Sequence, residues 1–170
     1  MMLLSGLLDR ILLVIGVVAG GCIPGFVLQY RQRVGGRLDQ VSKDLAPFQE
    51  IANQQHGGSL SALVRHHMAS TDQTFVGEGM AIQKMIDSLA SLRDAVAALN
   101  GDMFHQIAYL ARHGDLDIAR ATWSAFSPTF VLTAESMMIA AVVGLSLWLG
   151  FLVLWFGTAW AFRRVRFALS

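Results

Sequence analysis

Charge is scarce in this chain. Only 15% of its 170 residues are Asp, Glu, Lys or Arg, where an ordinary soluble domain has about 25%, and 54% are hydrophobic. Cysteine is scarcer still: Cys22 stands alone, which excludes an internal disulfide and leaves the redox compartment unread. Neither sign of charge dominates, and the net charge of +1 gives no reason to expect a nucleic-acid partner. Strand alternation and Asn-Gly hairpin signals are missing, so the fold class expected is all-α. There is no nucleophile elbow, phosphate loop or dinucleotide fingerprint. With no catalytic residue, metal ligand set or cofactor motif to name, the expectation is a protein that is not an enzyme.

The missing charge is unevenly distributed. No Asp, Glu, Lys or Arg occurs between Ile11 and Leu28, or between Ser136 and Phe162. A hydrocarbon core of about 30 Å takes about 20 helical residues, so both runs read as transmembrane helices in contact with membrane lipid. The second, about 40 Å long at 1.5 Å per residue, must tilt or place its ends among headgroups. It carries Trp148, Trp155 and Trp160, the last beside Arg163 and Arg164 as an interfacial anchor. Neither run holds an ionisable group near its middle, which argues against a transporter or proton channel. The first run has a rival reading as a signal sequence, and Ala19-Gly20-Gly21-Cys22 is similar to a lipoprotein cleavage site. Ala19 stands where a large aliphatic residue belongs, however, and Leu3, Leu4, Leu7 and Leu8 make a poor basic leader, so an uncleaved span is expected.

Two terminal spans leave a soluble segment between them. The expected organisation is a first transmembrane helix with a short tail at 1–30, a soluble helical bundle at 31–128, and a second transmembrane helix with a basic tail at 129–170. In the soluble part, Val34, Leu38, Val41, Leu45, Phe48 and Ala52 recur at heptad-like spacings and form one coiled-coil-like seam. Pro47 should kink or restart that helix, and Gly57-Gly58 should end it. Ser59 caps a short helix with Leu60, Leu63, Val64 and Met68. A longer one carries Met85, Leu89, Leu92, Val96 and Leu99. Asn100-Gly101-Asp102 and His113-Gly114-Asp115 then punctuate two more. In the last, Leu116, Ala119, Trp123 and Phe126 mark the expected buried side. The second span starts either at Ser127-Pro128 or at Thr133-Ala134-Glu135.

Small residues recur four apart in both spans: Gly16 to Gly20 and Gly21 to Gly25 in the first, Ala140 to Gly144, Ser146 to Gly150 and Gly157 to Ala161 in the second. Such pairs leave a groove that a neighbouring helix can enter, either the chain's other span or a helix of another subunit. The seam from Val34 to Phe48 likewise needs a cover, which the stripe from Met85 to Leu99 or a second molecule would supply. The five histidines do not fall in a metal-ligand pattern. His66 and His67 are adjacent and diverge by about 100° on a helix. His56, His105 and His113 have no matching carboxylate spacing, so surface or capping roles are expected.

The stretch from Gly20 to Tyr30, with Arg31-Gln32-Arg33 and Gly35-Gly36-Arg37-Leu38-Asp39, resembles an uncharacterised family of bacterial membrane proteins catalogued as a domain of unknown function. Ala46-Pro47-Phe48-Gln49, His66-His67-Met68-Ala69-Ser70 and Leu132-Thr133-Ala134-Glu135 also fit its pattern. The resemblance implies a bacterial inner membrane and two terminal spans, and it brings no catalytic residue, substrate or cofactor. The function expected is a non-enzymatic scaffold or accessory subunit, a homo-oligomer or part of a membrane protein complex. The alternative is a sensory-type periplasmic helical ligand-binding domain that signals through a separate partner.

Arg163, Arg164 and Arg166 crowd the short C-terminal tail, and Arg10 lies near the other end. Positive charge near span ends resists translocation, so both termini are expected in the cytoplasm. An alkaline phosphatase fused at the C-terminus should be inactive and a fluorescent protein at the same point bright. The reverse pattern would invert the topology.

Overall fold

The computed structural model describes residues 2–168, with side chains for 8–155 and for Gly157. Six helices follow one another: α1 Met2–Gln55, α2 Leu60–Met68, α3 Gln73–Ala98, α4 Met103–His113, α5 Leu116–Ser124 and α6 Ala134–Ala168. Among the described residues there is no strand. The chain divides into two compact units, residues 1–28 with 125–170 and residues 29–124. Helix α1 contributes to both. The side chains of Trp160, Ala161, Arg163, Arg164 and Arg166 lie outside the described residues.

In the first unit, the early part of α1 packs on α6 through the small residues. A Cβ on Gly16 would sit 2.9 Å from the Gly144 Cα, and one on Gly20 would sit 3.0 Å from the Ala140 Cα and 2.8 Å from the Val143 Cβ. Gly144 in turn leaves only 2.5 Å to a Val17 methyl. Backbones this close gain dispersion that larger side chains would forbid. Gly21 and Gly25 face a different neighbour, the extended stretch before α6. The Phe130 ring lies on Gly21, and the Thr129 carbonyl oxygen would be 2.7 Å from a Cβ on Gly25. Gly150 is exposed, with nothing within 4 Å of where its Cβ would be. Both helices are long and apolar enough to cross a membrane. Val14, Ile15, Val18, Val142, Val153 and Leu154 are each more than half exposed, an apolar surface that water penalises and hydrocarbon does not.

Helix α6 starts at Ala134, the later of the two candidate positions. Thr133 caps it: its Oγ1 accepts from the Ser136 amide at 3.2 Å, and its carbonyl accepts from the Met137 amide at 3.0 Å. Ser127-Pro128 precedes this start by several residues of extended chain and edge-on packing, with the Phe126 ring 5.5 Å from Phe26.

In the second unit, the seam of α1 forms the core. Val34 is fully buried and meets Tyr30, Leu92, Leu99 and Ile118, with Leu38 and Val41 alongside. Further on, Leu45 packs on Val64 and Ile82, with Phe48, Met85 and Leu89 around them. The seam is therefore covered by α2, α3 and α5 of the same chain and in itself gives no ground for assembly. Pro47 does not interrupt α1, which stays helical from 43 through 55. Pro47 is exposed, so the Lys43 carbonyl that loses its helical donor can turn to water. Leu45 and Ala52, both buried, hold the helix on either side.

The turns follow their residues. Gly57 and Gly58 have φ of 57° and 82°, the left-handed region that ends α1. Asp72 caps α3 through the Thr74 amide at 2.8 Å, and Asp102 caps α4 through the His105 amide at 2.9 Å. In α5 the expected face is corrected. Leu116 and Trp123 are 69% and 71% exposed, and Phe126 lies beyond the helix end. The buried side is Ile118 and Thr122, whose hydroxyl donates to the Ile118 carbonyl at 2.7 Å. Ile118 joins the core around Val34, and Ala119, as expected, packs partly buried against it.

Leu45→Ala should destabilise the soluble unit by about 2–5 kcal/mol, because the vacated volume collapses only partly. Denaturation of the detergent-solubilised chain followed by circular dichroism measures this. Leu45→Glu should unfold the unit rather than release a smaller particle. In the other unit, Gly16→Leu should lower thermal stability in detergent and Gly150→Leu should not.

Candidate functional site

The second unit is incompletely filled between α1, α3, α4 and α5. A cavity of about 260 Å³ is lined by Tyr30 and Val34 of α1, Ser91, Leu92 and Ala95 of α3, Tyr109 and His113 of α4, and Asp115 and Ile118 at the start of α5. A second space of about 190 Å³ shares Ser91, Leu92, Asp115 and Ile118 and adds Arg37, Gln40 and Ser88. An open groove of about 490 Å³ along α4, lined by His105, Ala108, Tyr109, Arg112 and His113, shares Tyr109 and His113. The three spaces adjoin through these shared residues and together outline a cleft. Its floor is apolar and its rim polar, the usual pattern of a small-molecule site.

Local sequence explains why the cleft exists. The turn between α4 and α5 is tight, since a Cβ on Gly114 would strike the Leu110 carbonyl. That turn delivers Asp115, whose carboxylate accepts from the amides of Asp117 at 2.8 Å and Ile118 at 2.9 Å and so caps α5. The Asp115 amide, 85 residues away in sequence, donates to the Tyr30 hydroxyl at 2.9 Å. Tyr30 is only 1% exposed. A phenol hydroxyl can accept a hydrogen bond and also donate one. The Tyr30 oxygen is engaged, yet its proton meets no acceptor among the described residues.

The other rim groups lean the same way. The Tyr109 ring packs 5.7 Å from the His113 ring, and no described residue hydrogen-bonds its hydroxyl. Ser91 donates to the Ser88 carbonyl at 3.0 Å. Arg37 and Arg112 have no carboxylate within ion-pair distance among the described residues. Hydrogen-bond donors are thus in excess, and the one acid, Asp115, has an oxygen already occupied by two amides.

Of the residues singled out from the sequence, Val34 and Val41 line these spaces, and Leu38, Leu45 and Phe48 lie in the core beside or below them. Gly16, Gly20, Gly21, Gly25, Gly144 and Gly150 all belong to the other unit. The histidines split into two groups. His105 and His113 border the groove. His56 and His66 approach to 5.2 Å between ring centroids at the far end of the bundle, while His67 Nδ1 lies 3.0 Å from the Leu63 carbonyl oxygen and its ring packs on Phe75. Among the described residues no three His, Cys, Asp or Glu side chains are arranged to hold a metal ion. Tyr30, Tyr109 and Arg37 were not anticipated. The signal was present: the chain has two tyrosines, and Tyr30 continues the seam one turn before Val34, where a polar tip in an apolar row needs a partner.

The chain belongs to the DUF2937 family, described as a protein of unknown function, which it matches over residues 4–164. No curated protein and no solved structure matches it.

Tyr30→Phe keeps the ring and removes the acceptor of the Asp115 amide. Leaving that donor unpaired should cost about 1–3 kcal/mol, read as a lower unfolding midpoint of the solubilised chain. Asp115→Ala should cost about 1 kcal/mol through the lost cap, and α5 should show faster amide exchange.

Proposed function

We propose that this protein is a non-enzymatic, membrane-anchored binding domain of sensory type, whose helical bundle takes a small molecule into the cleft bordered by Tyr30, Tyr109 and Asp115. The observation that carries the reading is the buried Tyr30 hydroxyl, which joins α1 to the start of α5 and faces a cavity of about 260 Å³. A molecule there touches four helices at once. It would bias how α5 sits on α1, the helix that also holds the first apolar segment. The signal in this reading passes to a separate partner. The setting we propose is a bacterial inner membrane with the bundle in the periplasm.

A second reading is a scaffold or accessory subunit that packs with copies of itself or with another membrane protein. One feature favours it. Gly150 and Gly157 are exposed seven residues apart on α6, with open space where a Cβ would be, and such a face accepts a second helix closely.

A thermal-shift screen of the purified full chain against small polar metabolites separates the two. Under the binding reading, at least one chemical class raises the unfolding midpoint saturably, and Tyr30→Phe weakens the effect. A flat screen, with Gly150→Leu reducing the mass of the solubilised particle, would move the assignment to the scaffold.

A further inference from the structure

We infer that the cleft is selective for small organic anions, with a carboxylate held by Tyr30, Tyr109 and Arg37 and an apolar body lying against Leu92 and Ile118. This rests on the binding reading above and adds the class of ligand.

The argument starts from the hydrogen bonds left unmade. Tyr30 is 1% exposed and its oxygen already accepts the Asp115 amide at 2.9 Å, so its remaining capacity is to donate. A buried hydroxyl proton without an acceptor is unfavourable, and a ligand oxygen in the adjoining cavity removes that cost. Tyr109 lines the same cavity, and its hydroxyl is likewise not hydrogen-bonded by a described residue. Charge adds to this. Arg37 borders the adjoining space two turns along α1 from Tyr30, on the same face, without an ion-pair partner among the described residues. A carboxylate accepts from a guanidinium and two hydroxyls together, whereas an ammonium finds one carboxylate, Asp115, among donors.

Asp115 is the one group that opposes an anion. Its carboxylate is turned to the first amides of α5 and accepts two of them at 2.8 and 2.9 Å. The helix terminus thereby offsets much of its charge. Arg112 at the mouth of the cleft favours the entry of an anion rather than a cation.

Size sets the body of the ligand. An apolar cavity of about 150 Å³ holds a benzene molecule. The space beside Tyr30, about 260 Å³ with Val34, Leu92, Ala95 and Ile118 on its walls, has room for a ring of that size and a carboxylate.

Calorimetric titration of the full chain in detergent with benzoate, phenylacetate and hexanoate, each beside its amide and its amine, tests the inference. At least one acid should bind saturably, with its amide and amine at least tenfold weaker. Arg37→Gln, an exposed position that leaves the core intact, should weaken the acid at least tenfold and leave the amide unchanged. Tyr30→Phe should weaken both. Equal binding of acid and amide, or an acid unaffected by Arg37→Gln, would overturn the anion assignment and leave the binding reading standing. No binding by any of the nine compounds at millimolar concentration would overturn both.

Discussion

One helix carries two incompatible demands. Helix α1 runs for 54 residues, about 80 Å, without a break. Its first half presents glycines at 16, 20, 21 and 25, where a neighbouring backbone must come close. Its second half presents Tyr30, Val34, Leu45 and Ala52, where side chains must fill a core. Small residues and large ones thus occupy successive turns, and the change falls between Gly25 and Tyr30. The rest of the chain is arranged to meet these two faces. Helix α6 comes to the glycines, and α2, α3 and α5 come to the aliphatic row.

The second half shows how packing overrides local preference. An interior proline costs a helix about 3 kcal/mol or more, yet α1 passes Pro47 because buried residues on both sides fix its path. Gly35 and Gly36, each unfavourable in a helix by about 1 kcal/mol, are carried in the same way next to fully buried Val34. Neither meets anything where its Cβ would be, so no close approach requires a glycine at either position.

Periodicity made much of this legible. The seam from Val34 to Ala52, the caps at Ser59 and Asp102, the stop at Gly57-Gly58 and the two apolar helices are local patterns, and each is present. What escaped depends on non-local fit. The pairing of Gly16 with Gly144 was open between two partners, because a small residue declares a groove and not its occupant. The face of α5 was misjudged because Trp123 and Leu116 are the larger apolar side chains, while the residues that reach the interior are Ile118 and Thr122. The cleft was invisible for the same reason. Tyr30, Tyr109 and Asp115 come from three separate stretches of the sequence, and nothing in their spacing announces that they meet. Which of the two candidate covers takes the seam, the stripe from Met85 to Leu99 or a second molecule, is likewise a matter of non-local fit, and α2, α3 and α5 take it.

The bond between Tyr30 and Asp115 also sets an order in time. The hydroxyl is on a segment made early in synthesis, and its partner amide emerges 85 residues later. At about 5–20 residues per second this is an interval of several seconds, during which the aliphatic row of α1 has no α5 to lie against. Helices α2 and α3 are made within that interval and can cover the part of the row around Leu45. The part around Val34 gains Leu92 and Leu99 in the same interval and is completed by Ile118. A chain interrupted before Asp115 therefore lacks more than its last helices: it leaves the α1 core row only partly covered at one end, just past the first apolar segment.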